Sequence, residues 1–164
     1  MPSGKMELVL ISGLSGAGKS VALGVLEDAG YYCVDNLPIK LLAELADHLI
    51  STQHERVALT MDARSGAGLE ELPAQLAGLR ERGINLRMLY IEAKDDTLIK
   101  RYSETRRRHP LSDGKLTLPE CISRERELLA EIAVLAHHVD TSDLSPNALR
   151  NWVRDFVAAP TVKR

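Results

Sequence analysis

Hydrophobic and polar positions along this chain switch repeatedly between two periods. Short runs of aliphatic residues suited to buried strands alternate with stretches in which leucine returns every three or four positions, as on an amphipathic helix. Such alternation predicts βαβ units and an α/β fold: a parallel five-stranded sheet with helices on both faces. Residues 7–12 form the first predicted strand, a glycine-rich loop follows, and 21–29 read as a helix stopped by Gly30. Residues 31–34 predict a second strand ending at Asp35, and Pro38 suits the first turn of a helix whose apolar face is Leu41, Leu42, Leu45 and Leu49. The third strand is 57–61, closed by Asp62; 66–69 turn the chain, and Leu72, Leu76 and Leu79 mark a helix that ends before Gly83. A fourth strand at 86–91 precedes a helix, capped by Asp95 or Asp96, that runs through Leu98, Arg101 and Tyr102 toward Pro110. Thr117 and Glu120 form a capping box around Pro119, opening a helix to about Ala136. A short strand at 138–140 and a last helix opened by Ser145-Pro146, with Trp152, complete the pattern.

Composition narrows this picture. A chain of 164 residues with 45% apolar content is long enough to bury a core and short enough to be one domain. The apolar run at 8–11 is too short for a signal peptide or a membrane span, so a soluble, cytoplasmic protein is expected. Cys33 and Cys121 lack a C-x-x-C spacing and predict two buried, reduced thiols rather than a disulfide or a zinc site. With 21 Lys+Arg against 23 Asp+Glu, the net charge of -2 exerts no global pull on nucleic acid or acidic membrane. Any RNA contact must come from a local patch.

The sharpest chemical signal is Gly13-Leu14-Ser15-Gly16-Ala17-Gly18-Lys19-Ser20, which satisfies G-x-x-x-x-G-K-[ST] directly after a predicted strand and directly before a predicted helix. Glycines let the backbone approach anionic oxygens, the turn aims successive N–H groups at them, and the helix start adds the positive end of its dipole. Lys19 is expected to bridge the outer phosphates of a nucleotide, and the Ser20 hydroxyl to hold Mg²⁺. Ligands of open parallel sheets gather at the carboxyl ends of strands, where Asp35, Asp62 and Asp140 all stand. Asp62, after an apolar run in the manner of a Walker B aspartate, is the candidate Mg²⁺ carboxylate.

The densest positive stretch, 100–109, follows the fourth strand, where a lid would close over phosphates. Arg101, Arg106 and Arg107 are candidate lid contacts to the nucleotide or a second phosphorylated ligand, with Asp35 on the substrate side. Arg106, Arg107 and Arg108 equally suit an RNA backbone, and a solvated charged helix face is the plain alternative. His137 and His138 are adjacent on a strand, point to opposite faces, and read as structural.

Several segments together resemble a family. Beside the glycine loop they are Glu27-Asp28, Tyr32-Cys-Val-Asp-Asn-Leu-Pro38, Asp62-Ala63-Arg64, Arg101-Tyr102, Thr105-Arg-Arg107, His109-Pro-Leu111 and Val139-Asp-Thr-Ser142. They look like the N-terminal domain of the RapZ (YvcJ) family of bacterial RNase adapter and nucleotide-binding proteins, over nearly the whole chain. The resemblance implies a P-loop NTPase fold of the nucleotide kinase type that binds ATP and GTP at residues 13–20. It also implies a second nucleotide segment at Asp62, Ala63, Arg64 and Ser65, where Ser65 stands in place of the family's common asparagine. It further implies that 1–158 form the P-loop domain and that 159–164 begin a linker to a C-terminal domain. By the same resemblance, small-RNA binding, metabolite sensing linked to amino-sugar metabolism, and delivery of RNA to a ribonuclease are expected largely of that second domain.

Three functions are compatible with these residues. The first is a regulatory nucleotide-binding module, at most a slow NTPase, because no evident base with a water-positioning motif is present. The second is a small-molecule kinase with Asp35 as base. The third is an RNA-binding domain acting through residues 106–108. Leucine-rich helix faces suit a core and a homo-oligomer contact alike.

Overall fold

A computed structural model describes residues 6–62, 69–105, 108–112 and 114–158, with the backbone alone at 62 and 69. Five described strands, β1 (Glu7–Gly13), β2 (Tyr32–Pro38), β3 (Arg56–Asp62), β4 (Asn85–Glu92) and β5 (His137–Asp140), form one sheet in the order β2-β3-β1-β4-β5. Every pairing is parallel. Covering the sheet are α1 (Lys19–Asp28), α2 (Leu42–Ser51), α3 (Leu72–Glu81), α4 (Asp95–Thr105), α5 (Leu118–Leu135) and α6 (Pro146–Ala158). The chain travels from β1 out to β2 through α1, then returns across the sheet through the later helices. With right-handed crossovers this reversal sets α1 on one face and α2 to α5 on the other, while α6 packs against α1.

Central β1 explains its own composition. Leu8, Val9, Leu10 and Ile11 are all within 1% of full burial, because helices cover both faces and no polar alternation is needed. Its carboxyl end therefore emerges at the middle of the sheet edge, between β3 and β4.

Element ends follow local chemistry. Gly30, at φ 93, lets α1 end with Gly30 N–H on Glu27 O at 3.0 Å and Tyr31 N–H on Leu26 O at 2.9 Å. The capping box at α5 is built as its spacing predicts. Glu120 N–H donates to Thr117 Oγ1 at 3.3 Å, and Thr117 N–H to Glu120 Oε1 at 2.8 Å.

Three expectations are corrected. β2 does not end at Asp35: it continues to Pro38 through a bulge between Val34 and Leu37, with Asn36 at φ 63. Pro38, at φ -61 and ψ 134, closes that strand instead of opening a helix, since its fixed φ is equally compatible with extended backbone. A short 3₁₀ turn, Ile39–Leu41, then precedes α2; it buries Ile39 and leaves Leu41 44% exposed, so Leu42, Ala46 and Leu49 make the helix face. At α4, Asp95 lies inside the first turn, and its carboxylate accepts two hydrogen bonds from Arg126 rather than capping the helix.

Neither cysteine forms a disulfide. Cys121 is buried and Cys33 half-buried; desolvation, with Glu27 nearby, pushes the Cys33 thiol up to about 11, so it stays protonated. His138 donates from Nδ1 to Glu92 at 2.8 Å while His137 lies against the Trp152 and Phe156 rings, the opposite-face arrangement expected of the pair. Among the described residues no helix is long and apolar enough to cross a membrane. The turn expected at 66–69 and the linker expected at 159–164 lie outside the described residues, apart from the backbone of Leu69.

Candidate nucleotide site

β1 delivers the chain to the glycine loop at Gly13, in register with Ile91 of β4, and Leu14 N–H donates to Ile91 O at 3.0 Å. Gly13 stands at φ 143, and a Cβ there would collide with the Ile91 carbonyl, so only glycine fits. Leu14 is wholly buried and anchors the loop, which folds back as Ala17 N–H donates to Leu14 O at 3.1 Å. Gly18, at φ 124, is the N-cap of α1, where a Cβ would come within 2.7 Å of Leu149 Cδ2 on α6. That helix start has no side-chain cap and no acidic residue in its first turn, so its N–H groups and dipole are directed at the loop's concavity. Lys19 Nζ donates to Gly13 O at 3.0 Å, spanning the loop. Ser20, also in the first turn of α1, is exposed.

Two side chains from distant elements brace this loop from behind. Thr141, 1% exposed just past β5, donates to Ala17 O at 2.6 Å. Arg101 of α4 donates to Gly16 O at 3.1 Å, to Thr141 Oγ1 at 3.2 Å and to Thr141 O at 2.7 Å. The sequence makes Arg101 a candidate lid contact; in this structure its guanidinium ties Gly16 of the phosphate loop to the turn after β5. Thr141→Val keeps the shape and removes the hydroxyl, leaving the buried Ala17 carbonyl without that donor. A loss of about 1–2 kcal/mol in unfolding free energy is expected, read by denaturant titration, together with a severalfold weaker phosphate-ligand affinity. Unchanged values for both would remove Thr141 from the loop's support.

On the open side stands a second group. Glu125 of α5 is 6% exposed; its Oε1 accepts from Ser15 N–H at 2.9 Å and its Oε2 from Ser15 Oγ at 2.6 Å. His109, also buried, lies 3.2 Å from Glu125 Oε1 through Nε2. Because Leu111 N–H donates to His109 Nδ1 at 3.0 Å, that nitrogen is an acceptor, and Nε2 carries the proton it gives to Glu125. Burial alone would raise the Glu125 carboxyl. The hydrogen bonds from His109 and Ser15, with the charge of Lys19, outweigh it and hold the group below its ordinary value, so it is a carboxylate at neutral pH. Glu125, Ser15, Lys19, Asn36 and Pro110 line a cavity of about 140 Å³ beside the loop.

The remaining candidates divide. Asp35 is exposed at the β2 bulge and accepts from the Thr60 hydroxyl, which in turn accepts from Asn36 N–H at 2.6 Å. Asp140 accepts from Ser142 N–H at 2.8 Å and Ser142 Oγ at 2.6 Å; these bonds hold its carboxyl below the usual range and close the turn after β5. Asp62 ends β3 beside Pro38. Ala63, Arg64, Ser65, Arg106 and Arg107 lie outside the described residues, and Arg108 is exposed, its Nε 3.4 Å from Ser112 Oγ. Glu125 and Thr141 were not singled out as site residues from the sequence. For Glu125 a signal exists: it interrupts the buried stripe Cys121, Leu129 and Ile132 on one face of α5, and an acid on such a stripe needs buried partners.

A glycine loop between the central strand and its following helix, set in a parallel sheet of this strand order, defines a P-loop domain of the kinase-like fold. The chain belongs to the RapZ-like N-terminal domain family, whose model matches residues 6–161. A protein of Thiobacillus denitrificans named "Nucleotide-binding protein" is 56% identical over 152 residues, covering 93% of this chain and 55% of the relative. The chain thus spans about half the length of the curated relatives it matches. Among solved structures, the Deinococcus radiodurans tunicamycin resistance protein aligns with TM-score 0.65 at 12% identity, covering 98% of this chain and 100% of that one. Shikimate kinase from Acinetobacter baumannii, in complex with shikimate, aligns with TM-score 0.59 at 13% identity over 96% of both chains. At such identities these structures speak to the fold alone.

Proposed function

We propose that this domain binds ATP or GTP with Mg²⁺ at residues 13–20 as a regulatory module, with weak or no hydrolysis. The carrying observation is the uncapped start of α1 behind Gly18, with Lys19 across the loop: a set of oriented N–H groups and one cation facing an open concavity. Relatives of the same family are named nucleotide-binding proteins, which supports the same ligand class. Mg²⁺ takes most of its ligands from phosphates and water, so the exposed Ser20 hydroxyl with one carboxylate, for which Asp62 is the candidate, is a sufficient donor set. Slow turnover is supported by the state of the buried acid beside the loop. Glu125 already accepts hydrogen bonds from Ser15 and His109, which lowers its readiness to take a proton.

In the longer protein that the relatives represent, the nucleotide state would be read by the second half. Small-RNA contact, handover to a ribonuclease and a link to amino-sugar metabolism are assigned there by the family resemblance. A small-molecule kinase is the competing reading, favoured by the cavity between the loop, Asn36 and Pro110, where an acceptor would sit. Incubation with γ-labelled ATP or GTP, Mg²⁺ and a metabolite extract separates them. The regulatory reading expects turnover well below the roughly one per second of the slowest typical kinases. Label transferred to a metabolite, and lost in Lys19→Ala, would establish the kinase instead.

A further inference from the structure

Glu125 holds the loop in a way that a passive support would not require. Its carboxylate takes both donors of Ser15, the third residue of the phosphate loop, at 2.9 and 2.6 Å. Two adjacent oxygens accepting from one N–H and one O–H occupy donors that such a loop would otherwise offer to an anionic ligand. Lys19 is near enough to bias the same carboxyl, so acid and cation share the space where the outer phosphates of a nucleotide would end. α5 sets the Glu125 backbone, and His109 bonds Oε1, the same oxygen that takes the Ser15 N–H.

We propose that Glu125 is a specificity-determining residue that makes this loop favour nucleoside diphosphates over nucleoside triphosphates. The inference rests on the nucleotide reading of the loop. A diphosphate finishes at the phosphoryl cradled by Gly16 to Lys19 and leaves Glu125 on Ser15. A triphosphate carries a further anionic group toward the buried carboxylate, and in that low-dielectric setting like charges repel strongly. Binding it requires Glu125 to leave Ser15, breaking both hydrogen bonds and disturbing His109. The terminal phosphate would thereby be sensed at His109, through its hydrogen bond to Glu125.

Glu125→Gln tests this with little change of shape, since an amide oxygen still accepts from Ser15 while the charge is gone. Dissociation constants for ADP, ATP, GDP and GTP, each with Mg²⁺, are measured by calorimetry on native, Glu125→Gln and His109→Asn proteins. Native protein is expected to bind diphosphates about tenfold or more tightly than the matching triphosphates. The ratio should fall about tenfold in Glu125→Gln and less, in the same direction, in His109→Asn. Equal shifts for both nucleotide classes, an unchanged ratio, or a native preference for triphosphate would each overturn the proposal. Should Glu125→Gln fail to fold, the His109→Asn ratio decides. Diphosphate binding that is sound while the ratio stays flat sinks this inference alone; absence of binding by every nucleotide sinks the nucleotide reading with it.

Discussion

Lys19→Ala is expected to weaken nucleotide binding by about two orders of magnitude, the loss of roughly 3 kcal/mol that follows from removing charge-assisted hydrogen bonds to phosphate. Lys19 sits half-buried at the start of α1 with its ammonium across the loop on Gly13 O. That posture holds the charge over the concavity, where no flexible search is needed before a phosphate arrives. The fold depends on Lys19 far less, because Leu14, Ala17, Thr141 and Arg101 hold the loop independently. Unfolding free energy should change by no more than about 1 kcal/mol. Titration with a fluorescent nucleotide analogue, alongside denaturant unfolding, reads both quantities. A loss of affinity below about threefold would mean that the phosphates lie elsewhere.

Gly13→Ala acts on the fold itself. At φ 143 an L side chain is strained, and its Cβ would meet the backbone carbonyl of Ile91, which cannot swing away because β4 is held by β1 and β5. Relief requires β1 and β4 to part at the carboxyl edge of the sheet. We expect a cost of about 4 kcal/mol or more, a large share of the roughly 5–15 kcal/mol that stabilises a domain. Gly78→Ala is the internal contrast. It lies in α3 with open space around a new Cβ, so helix propensity should make that change neutral or stabilising by up to about 1 kcal/mol. Similar denaturation midpoints for both variants would show that Gly13 is not sterically confined.

What could be read from the sequence was local. The phosphate loop, the end of α1 at Gly30 and the capping box at Thr117 each involve residues within a few positions of one another, and each formed as its spacing predicts. The parallel sheet was legible for the same reason, since buried strands and amphipathic helices carry their own periods. Family-specific segments such as Tyr32 to Pro38 and His109 to Leu111 added the lineage that the glycine loop alone does not carry. Where local signals were ambiguous, tertiary context chose. Pro38 fits either a strand end or a helix start, and pairing with β3 through the Asn36 bulge decided for the strand.

The arrangement around the loop could not be read, because its partners are far apart in the chain. Ser15 and Glu125 are separated by 110 positions, and Ala17 and Thr141 by 124. No spacing rule links such pairs; only the sheet order brings α5 and the end of β5 to the same edge as the loop. Arg101 shows the converse limit. Its charge is evident in the sequence, but its hydrogen bonds to Gly16 and Thr141 follow from where α4 sets it, which no local spacing gives.

Calorimetric titration of the protein with ADP, ATP, GDP and GTP in the presence of Mg²⁺ reads whether residues 13–20 form a nucleotide-phosphate site. Saturable binding at one site by at least one of them is expected, abolished over the same concentration range in Lys19→Ala. Absence of saturation by every nucleotide up to about 1 mM, or binding that Lys19→Ala leaves intact, would contradict it.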